Sequence, residues 1–531
     1  MTDPETTPQE ELGGAGPGRT GPGQAGWRGR LAVLAGSTTV LVTASLLGSV
    51  LGFADKAACR SGDWNFYLRQ FQAHCYTDIY PLYFGEGLSA GKVPYFGHPV
   101  EYPVVTGWVM QAAAWLVQPI SQPYLRGREF FDVTVVLLAV FTVAGTLATA
   151  YLAGPARRWT ALLVALSPAL ILASFINWDL IAMSLVALGM AAWAARRLVL
   201  AGVLLGLAVA TKFYPLVFFG PLLLLCLRAG RMRAFTITTA AAAVTWLVVN
   251  LPVAIAAPTG WDRFYSMSQT RAADWGSIWY FFQTEHWPLV GGLSIPSLNK
   301  LSLAAFALGC LLAGVLILAA PRRPRVPQVF LLVLAVFLLV NKVWSPQYVI
   351  WLVPLVVLAR PRLPAYLLWQ AAEVCYFLAI WSYLVTLLAV TPVPADGGIG
   401  NRLYFMALLA RLLTVALLCV LAAVCYSALA YAASAFIGTV DAAAPAVQLV
   451  TLPLYFLSGV FVPSSNLPDW LNTAMSYLPV RPLGVALQAA FVPATNAGRR
   501  LDWAAVLVIV IWGVAGLLFA MRRFSWVPRR R

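Results

Sequence analysis

The sequence predicts an all-α protein that crosses a membrane many times, and three observations lead to this fold class. Of its 531 residues, 60% are hydrophobic and only 11% are charged, whereas soluble domains carry about a quarter charged residues. Apolar runs of bilayer length recur along the chain, and helices are the usual way to satisfy backbone hydrogen bonds in lipid. The net charge of +16 comes from short arginine clusters between these runs, which is typical of cytoplasmic loops and not of a nucleic-acid-binding surface.

The N-terminal part is expected to be a tail followed by a membrane anchor. Residues 1–30 form a tail, rich in Gly, Pro, Thr and Glu over most of its length, which predicts a disordered segment on the cytoplasmic side. The first apolar run starts near residue 31 and has about the length of a bilayer, so we expect an uncleaved span. Spans are predicted near 31–53, 130–152, 158–176, 179–196, 199–211, 213–228, 234–256, 300–320, 328–342, 347–360, 364–390, 404–436, 447–462 and 504–521.

The segment 104–118 is apolar but short and contains two glutamines. We interpret it as a re-entrant or interfacial helix with both ends on one side of the membrane. With a cytoplasmic N-terminus, this interpretation places the basic links on the inside, whereas a full span at 104–118 would put most of them outside. The basic links are Arg157/Arg158, Arg196/Arg197, Arg228 to Arg233, Arg322 to Arg325, Arg360/Arg362 and Arg522/Arg523.

The same orientation places the polar motifs on the outer face of the membrane. Their separation in sequence is large, yet they would share one membrane surface, and the three histidines fall there too. We therefore predict a single extracytoplasmic site built from several loops. The motifs lie at 55–103, 177–179, 211–215, 257–299 and 341–348.

Seven cysteines are present, without a CxxC pair. Cys59 and Cys75 share the first loop and can form a disulfide if that loop faces an oxidising compartment; otherwise they remain free thiols. The other cysteines lie in apolar runs, where they are expected to be small core residues.

Two carboxylates stand out in the first loop, at Asp78 and Glu101. An acid between tyrosines at the membrane edge has its pKa raised by desolvation unless a cation balances it, and it can then accept a proton from a hydroxyl group. The alternative for Asp78 is a solvated loop acid, and for Glu101 an ion pair with Lys92. Asp63 and Glu86 are expected to be ordinary loop charges.

Ionisable residues also border the apolar runs farther along the chain. Asn177 and Asp179 open a span, where they can cap the helix or contact a substrate. Lys212 and Lys342, two of only five lysines, can neutralise a phosphate group or can extend to lipid headgroups instead.

The loop at 261–287 is aromatic and carries charges of both signs. Trp275 and Trp279 can stack on sugar rings, and Arg263 and Arg271 can bind phosphate. The alternative is an aromatic belt at the membrane interface. The sequence contains no nucleotide-phosphate loop and no metal-ligand spacing.

The motifs described above lie in sequence strings that together resemble glycosyltransferase family 87, over about residues 30–425. The family comprises mannosyltransferases of the GT-C fold that use polyprenyl-phosphate mannose. The resemblance implies a bundle of about 12 spans plus the re-entrant helix. The strings are YTDIYPLYFGEGLSAGKVPY, EYPVVTG, INWDLIAMSLVALGMAAWA, AGVLLGLAVATKFYPLVF and NKVWSPQYVIWLVPL.

The resemblance also implies a reaction. Asp78 would be the general base that takes the acceptor hydroxyl proton, polyprenyl phosphate would leave, and inversion of a β-linked donor would give an α-mannoside. No metal or other cofactor is expected. The partners would be a polyprenyl-phosphate sugar donor, a glycolipid or glycan acceptor, and membrane lipid. The implied substrate-binding residues are Glu101, Asn177, Asp179, Lys212, Tyr214, Arg271, Trp275, Lys342, Gln347 and Tyr348.

From about residue 426 the chain resembles instead part of a type-2 ABC exporter permease, in the strings SAFIGTVDAAAP, LPLYFLSGVFVP and LPDWL. We expect a partial permease segment over 426–531, with two further spans. It is either a fusion relic or a working exporter subunit, and the latter would require a separate ABC ATPase partner. The leading hypothesis is a plasma-membrane α-mannosyltransferase with cytoplasmic termini; the alternative is a subunit of a lipid or polysaccharide exporter.

Overall fold

The computed structural model describes residues 24–62, 68–288, 290–319, 324–359, 363–389, 397–412, 477–478 and 507–515, and these residues contain no β-strand. Its helices are α1 (Gln24–Lys56), α2 (Arg69–Gln72), α3 (Ile79–Gly85), α4 (Val104–Val117), α5 (Pro123–Ala153), α6 (Leu162–Ala165), α7 (Pro168–Ala173), α8 (Asp179–Ala194), α9 (Leu198–Thr211), α10 (Phe219–Ala229), α11 (Met232–Ala256), α12 (Pro258–Thr270), α13 (Ile278–Thr284), α14 (Ile295–Ala319), α15 (Val326–Val340), α16 (Val349–Ala359), α17 (Leu363–Leu388) and α18 (Asn401–Leu409). Short 3₁₀ segments lie at Leu88–Ala90, Pro155–Ala161, Tyr214–Phe218 and Pro346–Tyr348.

The prediction of an all-α polytopic membrane protein is confirmed. Within the described residues, five helices are long and apolar enough to cross a membrane, and they lie in α1, α5, α11, α14 and α17. Shorter apolar helices occupy the predicted spans in between, including α8, α9, α15 and α16.

One predicted span has a different form. The run 158–176 is not a single helix but a 3₁₀ segment followed by α6 and α7. Pro168 cannot donate a backbone hydrogen bond, so it begins a new helix, and the Ser167 side chain accepts from the Leu170 amide to cap that helix. α1 begins at Gln24, inside the predicted tail.

Other predictions concern parts of the chain outside the described residues. They are the first 23 residues of the tail, the run 404–436 beyond residue 412, the span 447–462, and the span 504–521 except for a helical stretch at 507–515. The division into a tail, a transferase domain and a permease segment stays a prediction.

The centre of the bundle is a series of closely packed helices in which α11 packs on α9, α9 on α8 and α8 on α5. Two glycines one turn apart permit the closest of these contacts. A Cβ atom at Gly202 would clash with the Thr238 carbonyl oxygen, and one at Gly206 would clash with the Ala242 carbonyl oxygen. Small residues at this spacing let membrane helices approach at backbone distance.

α4 and α5 both begin at the same end of the bundle. The Thr106 hydroxyl, in the first turn of α4, donates to the Thr211 carbonyl at the end of α9. Gly127, in the first turns of α5, packs against Phe84 and Tyr80 around α3. The chain therefore returns to its starting side after the 14 residues of α4, in agreement with the re-entrant or interfacial interpretation.

α17 packs against α7 and α2 and closes one side of the bundle. The Gln370 side-chain oxygen accepts from the Ser167 hydroxyl at 2.8 Å and from the Ala169 amide at 3.1 Å.

At the end of α18, Arg411 forms a fully buried ion pair with Glu373 at 2.9 Å. The Arg411 guanidinium also lies over the Trp344 ring, 4.2 Å from its centroid. These contacts make α17 and α18 part of the same core as the preceding helices.

Candidate active site

The segment around Asp78 is fixed by the turn that precedes α8. The Asp78 amide donates to the Ile176 carbonyl at 2.7 Å, and the Thr77 hydroxyl donates to the Phe175 carbonyl at 2.7 Å. Phe175 has a positive φ of 61°, which is uncommon for a bulky residue and exposes its carbonyl to this donor. Two loops about 100 residues apart are thus held together by one backbone hydrogen bond and one hydrogen bond from a side-chain hydroxyl.

The Asp78 carboxylate receives two phenol donors. The Tyr76 hydroxyl donates to Oδ1 at 2.7 Å and the Tyr102 hydroxyl donates to Oδ2 at 3.2 Å. The Asp78 side chain stays partly exposed, and each carboxylate oxygen can accept more hydrogen bonds than the one it receives here.

Burial raises the pKa of Asp78 from 3.8 to about 6. The hydrogen bond from Tyr76 opposes this rise, the negative charge of Glu101 adds to it, and the positive charge of Lys212 opposes it again. The balance leaves a carboxylate that is ionised near neutral pH yet more basic than an ordinary aspartate. These are the properties required of a general base.

Beside Asp78 lies a buried ion pair between the ends of two adjacent helices. Lys212, directly after α9, places its ammonium 2.9 Å from the carboxylate of Asp179, the first residue of α8. The second Asp179 oxygen accepts from the Trp351 indole at 3.1 Å. The Asn177 side-chain oxygen accepts from the Asp179 amide at 3.0 Å, whereas its buried Nδ2 atom has no partner within the described residues.

Aromatic rings surround the Lys212 ammonium. It lies 5.1 Å from the centroid of the Tyr102 ring and 5.7 Å from that of the Tyr348 ring. Trp351 stacks on Tyr348 on one side, at 3.9 Å, and on Tyr214 on the other, at 4.2 Å. Tyr214 is therefore a buried element of the wall, while Tyr348 borders the cation.

Arg271 is the most accessible cation near these groups. Its guanidinium lies 3.1 Å from the Asp274 carboxylate, and its side chain is 42% exposed, compared with 13% for Lys212. The Ser345 hydroxyl donates to the other Asp274 oxygen. The charge of Arg271 acts on Tyr76 and on Tyr348, which places it at the same site.

Lys342 has structural contacts instead of a free ammonium group. Its Nζ atom donates to the Gln269 carbonyl at 3.1 Å and to the Arg271 carbonyl at 2.7 Å. The Asp274 amide donates back to the Lys342 carbonyl. These bonds hold the loop that carries Arg271; the prediction that Lys342 binds phosphate remains a prediction.

The remaining predicted residues lie at different depths. Trp275 is 36% exposed, and its carbonyl accepts from the Tyr404 hydroxyl. Trp279 is buried, and its indole donates to the Val340 carbonyl, so its role is structural. Gln347 is buried in the 3₁₀ segment before α16.

Glu86 is buried and is not the ordinary loop charge that the sequence predicts. Its side chain is only 7% exposed, lies 3.7 Å from the His98 ring and accepts from the Glu101 amide. Burial, followed by the charge of Glu101, raises the pKa of Glu86 to about 7. Glu101 is partly exposed and acts electrostatically on Asp78 as well as on Glu86, and no ion pair joins it to Lys92 in this described segment.

A second missed residue is Trp381 on α17. Its ring stacks on the ring of Tyr76 at 4.7 Å, and Phe71 stacks on both. Since Tyr76 donates to Asp78, this stack fixes the phenol that holds the carboxylate. Only the spacing of aromatic residues on α17 could have indicated it, and that pattern is equally typical of any buried helix.

Cys59 and Cys75 form a disulfide, which settles the alternative left open by the sequence. The bond joins the residues after α1 to the residue that precedes Tyr76, and both half-cystines are fully buried. Closing a loop of 16 residues restricts the unfolded chain and stabilises the fold by about 3 kcal/mol.

We expect the double variant Cys59→Ser/Cys75→Ser to melt at a lower temperature than the wild type, because that restriction is lost. Thermal unfolding of the detergent-solubilised protein, with and without reductant, measures the effect. Cys375→Ser is the control, since Cys375 is a free and exposed thiol. An unchanged melting temperature in the double variant would show that the disulfide contributes nothing to stability.

The middle of the chain, which contains most of these residues, matches a known family. Residues 102–346 match the model of glycosyltransferase family 87. This match supports a membrane glycosyltransferase and covers Tyr102, Asp179, Lys212, Arg271 and Asp274. Asp78 and Glu101 precede the family 87 segment, and Tyr348 follows it, so their inclusion in the site rests on the contacts described above.

A second family model matches the following part of the chain. Residues 359–492 match the model of the ABC-2 type transporter. Both parts of the resemblance noted in the sequence are confirmed, although the transporter match begins well before residue 426 and includes α17 and α18. No curated protein matches the chain.

Proposed function

We propose that the protein transfers a hexose, most simply mannose, from a polyprenyl-phosphate donor to an extracytoplasmic glycan or glycolipid acceptor, with inversion. The observation that supports this best is Asp78, a partly exposed carboxylate held by two phenols beside Lys212 and Arg271. A base and cations at one site match the needs of a sugar transfer whose leaving group is a phosphate.

In the proposed reaction, Asp78 accepts the proton of the acceptor hydroxyl group. The acceptor oxygen forms a bond to the anomeric carbon as the bond from that carbon to the phosphate oxygen breaks. The electron pair stays on the departing polyprenyl phosphate, which gains negative charge. The products are the glycosylated acceptor and polyprenyl phosphate, with the proton left on Asp78.

Arg271 is the better candidate for contact with the donor phosphate. Both cations pair with an aspartate, Lys212 with Asp179 at 2.9 Å and Arg271 with Asp274 at 3.1 Å, but aromatic rings also cover the Lys212 ammonium. Arg271 is more exposed and can offer several N–H groups in a planar fork to phosphate oxygens. Lys212 would then stabilise the site through its charge, without direct contact with the donor phosphate.

The proposed location is the plasma membrane, with the site on the extracytoplasmic side. The arginine clusters of the links after α8 and α10 lie at the opposite end of these helices from Asp179 and Tyr214. Such clusters favour the cytoplasmic side. The disulfide near Asp78 agrees with an oxidising compartment on the side of the site.

The proposal is tested by measuring sugar transfer by the purified full chain in proteoliposomes. Polyprenyl-phosphate mannose, polyprenyl-phosphate glucose and a nucleotide-linked mannose are compared as donors against a panel of membrane glycolipid acceptors. We expect product only from a polyprenyl-phosphate sugar, with inverted anomeric configuration. Transfer from the nucleotide sugar alone, or retention of configuration, would contradict the proposal.

The pH dependence of transfer follows from the pKa of Asp78. Because the base must be ionised, the rate is expected to rise with pH through about 6. This rise forms the acid limb of the pH–rate profile. Tyr76→Phe removes a donor to the ionised form, so the pKa of Asp78 rises and the limb moves to higher pH, by about one unit. Glu101→Gln removes a neighbouring negative charge, so the limb moves to lower pH.

Rates measured from pH 4.5 to 8.5 check these opposite shifts. Glu285→Gln, an exposed acid of the loop after α13, is the matched control and leaves the limb in place. Shifts of the same sign in Tyr76→Phe and Glu101→Gln would argue against Asp78 as the titrating group.

A second candidate function is that of a subunit in an ABC-type exporter of lipid or polysaccharide, and the ABC-2 match over 359–492 favours it. Deleting residues 440–531 separates the two candidates. We expect sugar transfer to persist, because the described contacts of the site involve no residue beyond Arg411. Loss of export with transfer intact would establish the exporter role, and it would then require an ATPase partner.

A further inference from the structure

A cavity lies at the end of the bundle opposite Asp78. Its volume is about 400 Å³, within the range of pockets that hold small molecules. α8 leads from the site at Asp179 to this cavity at Ala194, and 16 residues of helix span about 24 Å. The cavity therefore opens towards the other face of the membrane and is separate from the site described above.

The walls of this cavity are largely apolar, and its charged groups are all basic. Side chains from the ends of α5, α8, α10 and α16 provide the hydrocarbon surface, among them Leu152, Met190, Trp193, Leu222 and Leu358. Arginines from three different links complete the lining, namely Arg157, Arg231 and Arg325. An apolar interior with several cations suits a molecule that has both a hydrocarbon chain and an anionic group.

The sequence around the cavity offers these cations little negative charge. No carboxylate lies within ion-pairing distance of Arg157 or Arg231 in the described part of the chain. Between residues 133 and 261 the only acid is Asp179, which is paired with Lys212 at the other end of α8. Arg325 already donates to the Ala359 carbonyl, so its role is to add charge at the mouth of the cavity.

We propose that this cavity binds an anionic phospholipid of the leaflet on that side. The phosphate would lie against Arg157 and Arg231, and an acyl chain would occupy the space between the apolar helix ends. The bound lipid would join α5, α8, α10 and α16 where they end, on the face opposite the transfer site.

The experiment measures lipid retention by the full chain, using native mass spectrometry after exchange into an equal mixture of phosphatidylglycerol and phosphatidylcholine. The wild type is expected to retain phosphatidylglycerol preferentially. In Arg157→Gln/Arg231→Gln this preference is expected to fall by roughly fivefold per charge removed. Arg196→Gln/Arg197→Gln is the charge-matched control, because these exposed arginines of the neighbouring link do not line the cavity.

A second pair of variants tests the cavity itself. Ala194→Trp fills the space from an exposed position of the lining, while Ala195→Trp adds the same bulk one residue away, outside the lining. We expect lipid loss in the first and wild-type retention in the second. Unchanged retention in both Ala194→Trp and the arginine variant would overturn the proposal, as would displacement of the lipid by millimolar inorganic phosphate, which indicates a headgroup-only contact.

Discussion

Asp78→Asn is expected to lower the rate of sugar transfer by about 10² to 10⁴-fold, the usual contribution of a general base. The amide keeps the size of the side chain but cannot take the acceptor proton. The Asp78 amide bond to Ile176 and the Thr77 bond to Phe175 do not involve the carboxylate, so the loop should keep its position. Transfer from the preferred polyprenyl-phosphate sugar in proteoliposomes measures the effect.

Asp262→Asn is the matched control. Asp262 is an exposed acid on α12, in the same group of loops, and the structure gives it no ion pair within the described residues. We expect wild-type transfer from this variant. If Asp78→Asn also transfers at the wild-type rate while inserting and melting normally, Asp78 is not the base.

Lys212→Met is expected to destabilise the fold by about 3–5 kcal/mol, because it leaves the Asp179 carboxylate buried without a cation. Thermal unfolding of the solubilised protein measures this loss. Lys300→Met is the control, since Lys300 is an exposed lysine. A melting temperature near that of the wild type in Lys212→Met would show that the ion pair adds nothing to stability.

A double variant separates stability from activity. In Lys212→Met/Asp179→Asn no unpaired charge remains, and the amide oxygen can still accept from the Trp351 indole. We expect stability to recover substantially, since the two residues act as a pair and their effects do not add. Transfer should stay low, because the positive charge that lowers the pKa of Asp78 and supports the leaving phosphate is absent.

The meeting of the polar motifs could be predicted because the positive-inside rule and the parity of spans assign each loop to a side. The pairing of Asp179 with Lys212 was also within reach. α8 and α9 form an antiparallel hairpin whose turn lies at Arg196, and the two residues lie 17 and 16 positions from it. Nearly equal distances from a tight turn place two side chains at about the same height, so an acid and a lysine there are natural partners.

Other features of the site depend on packing between distant segments. The stack of Trp381 on Tyr76 joins residues about 300 positions apart, and no local pattern specifies that contact. The burial of Glu86 depends on how the loop before α4 folds over it, which hydropathy alone does not determine. Pro168 is the local signal for the break of the span 158–176, because proline cannot continue a helix from the preceding residues.

The contacts of α17 cross the boundary between the two family matches. α17 lies within the segment that matches the transporter family, yet Trp381 supports Tyr76 and Gln370 accepts a hydrogen bond from Ser167. The two matched segments are therefore not separable modules, and a chain cut at residue 359 would lose one wall of the candidate active site.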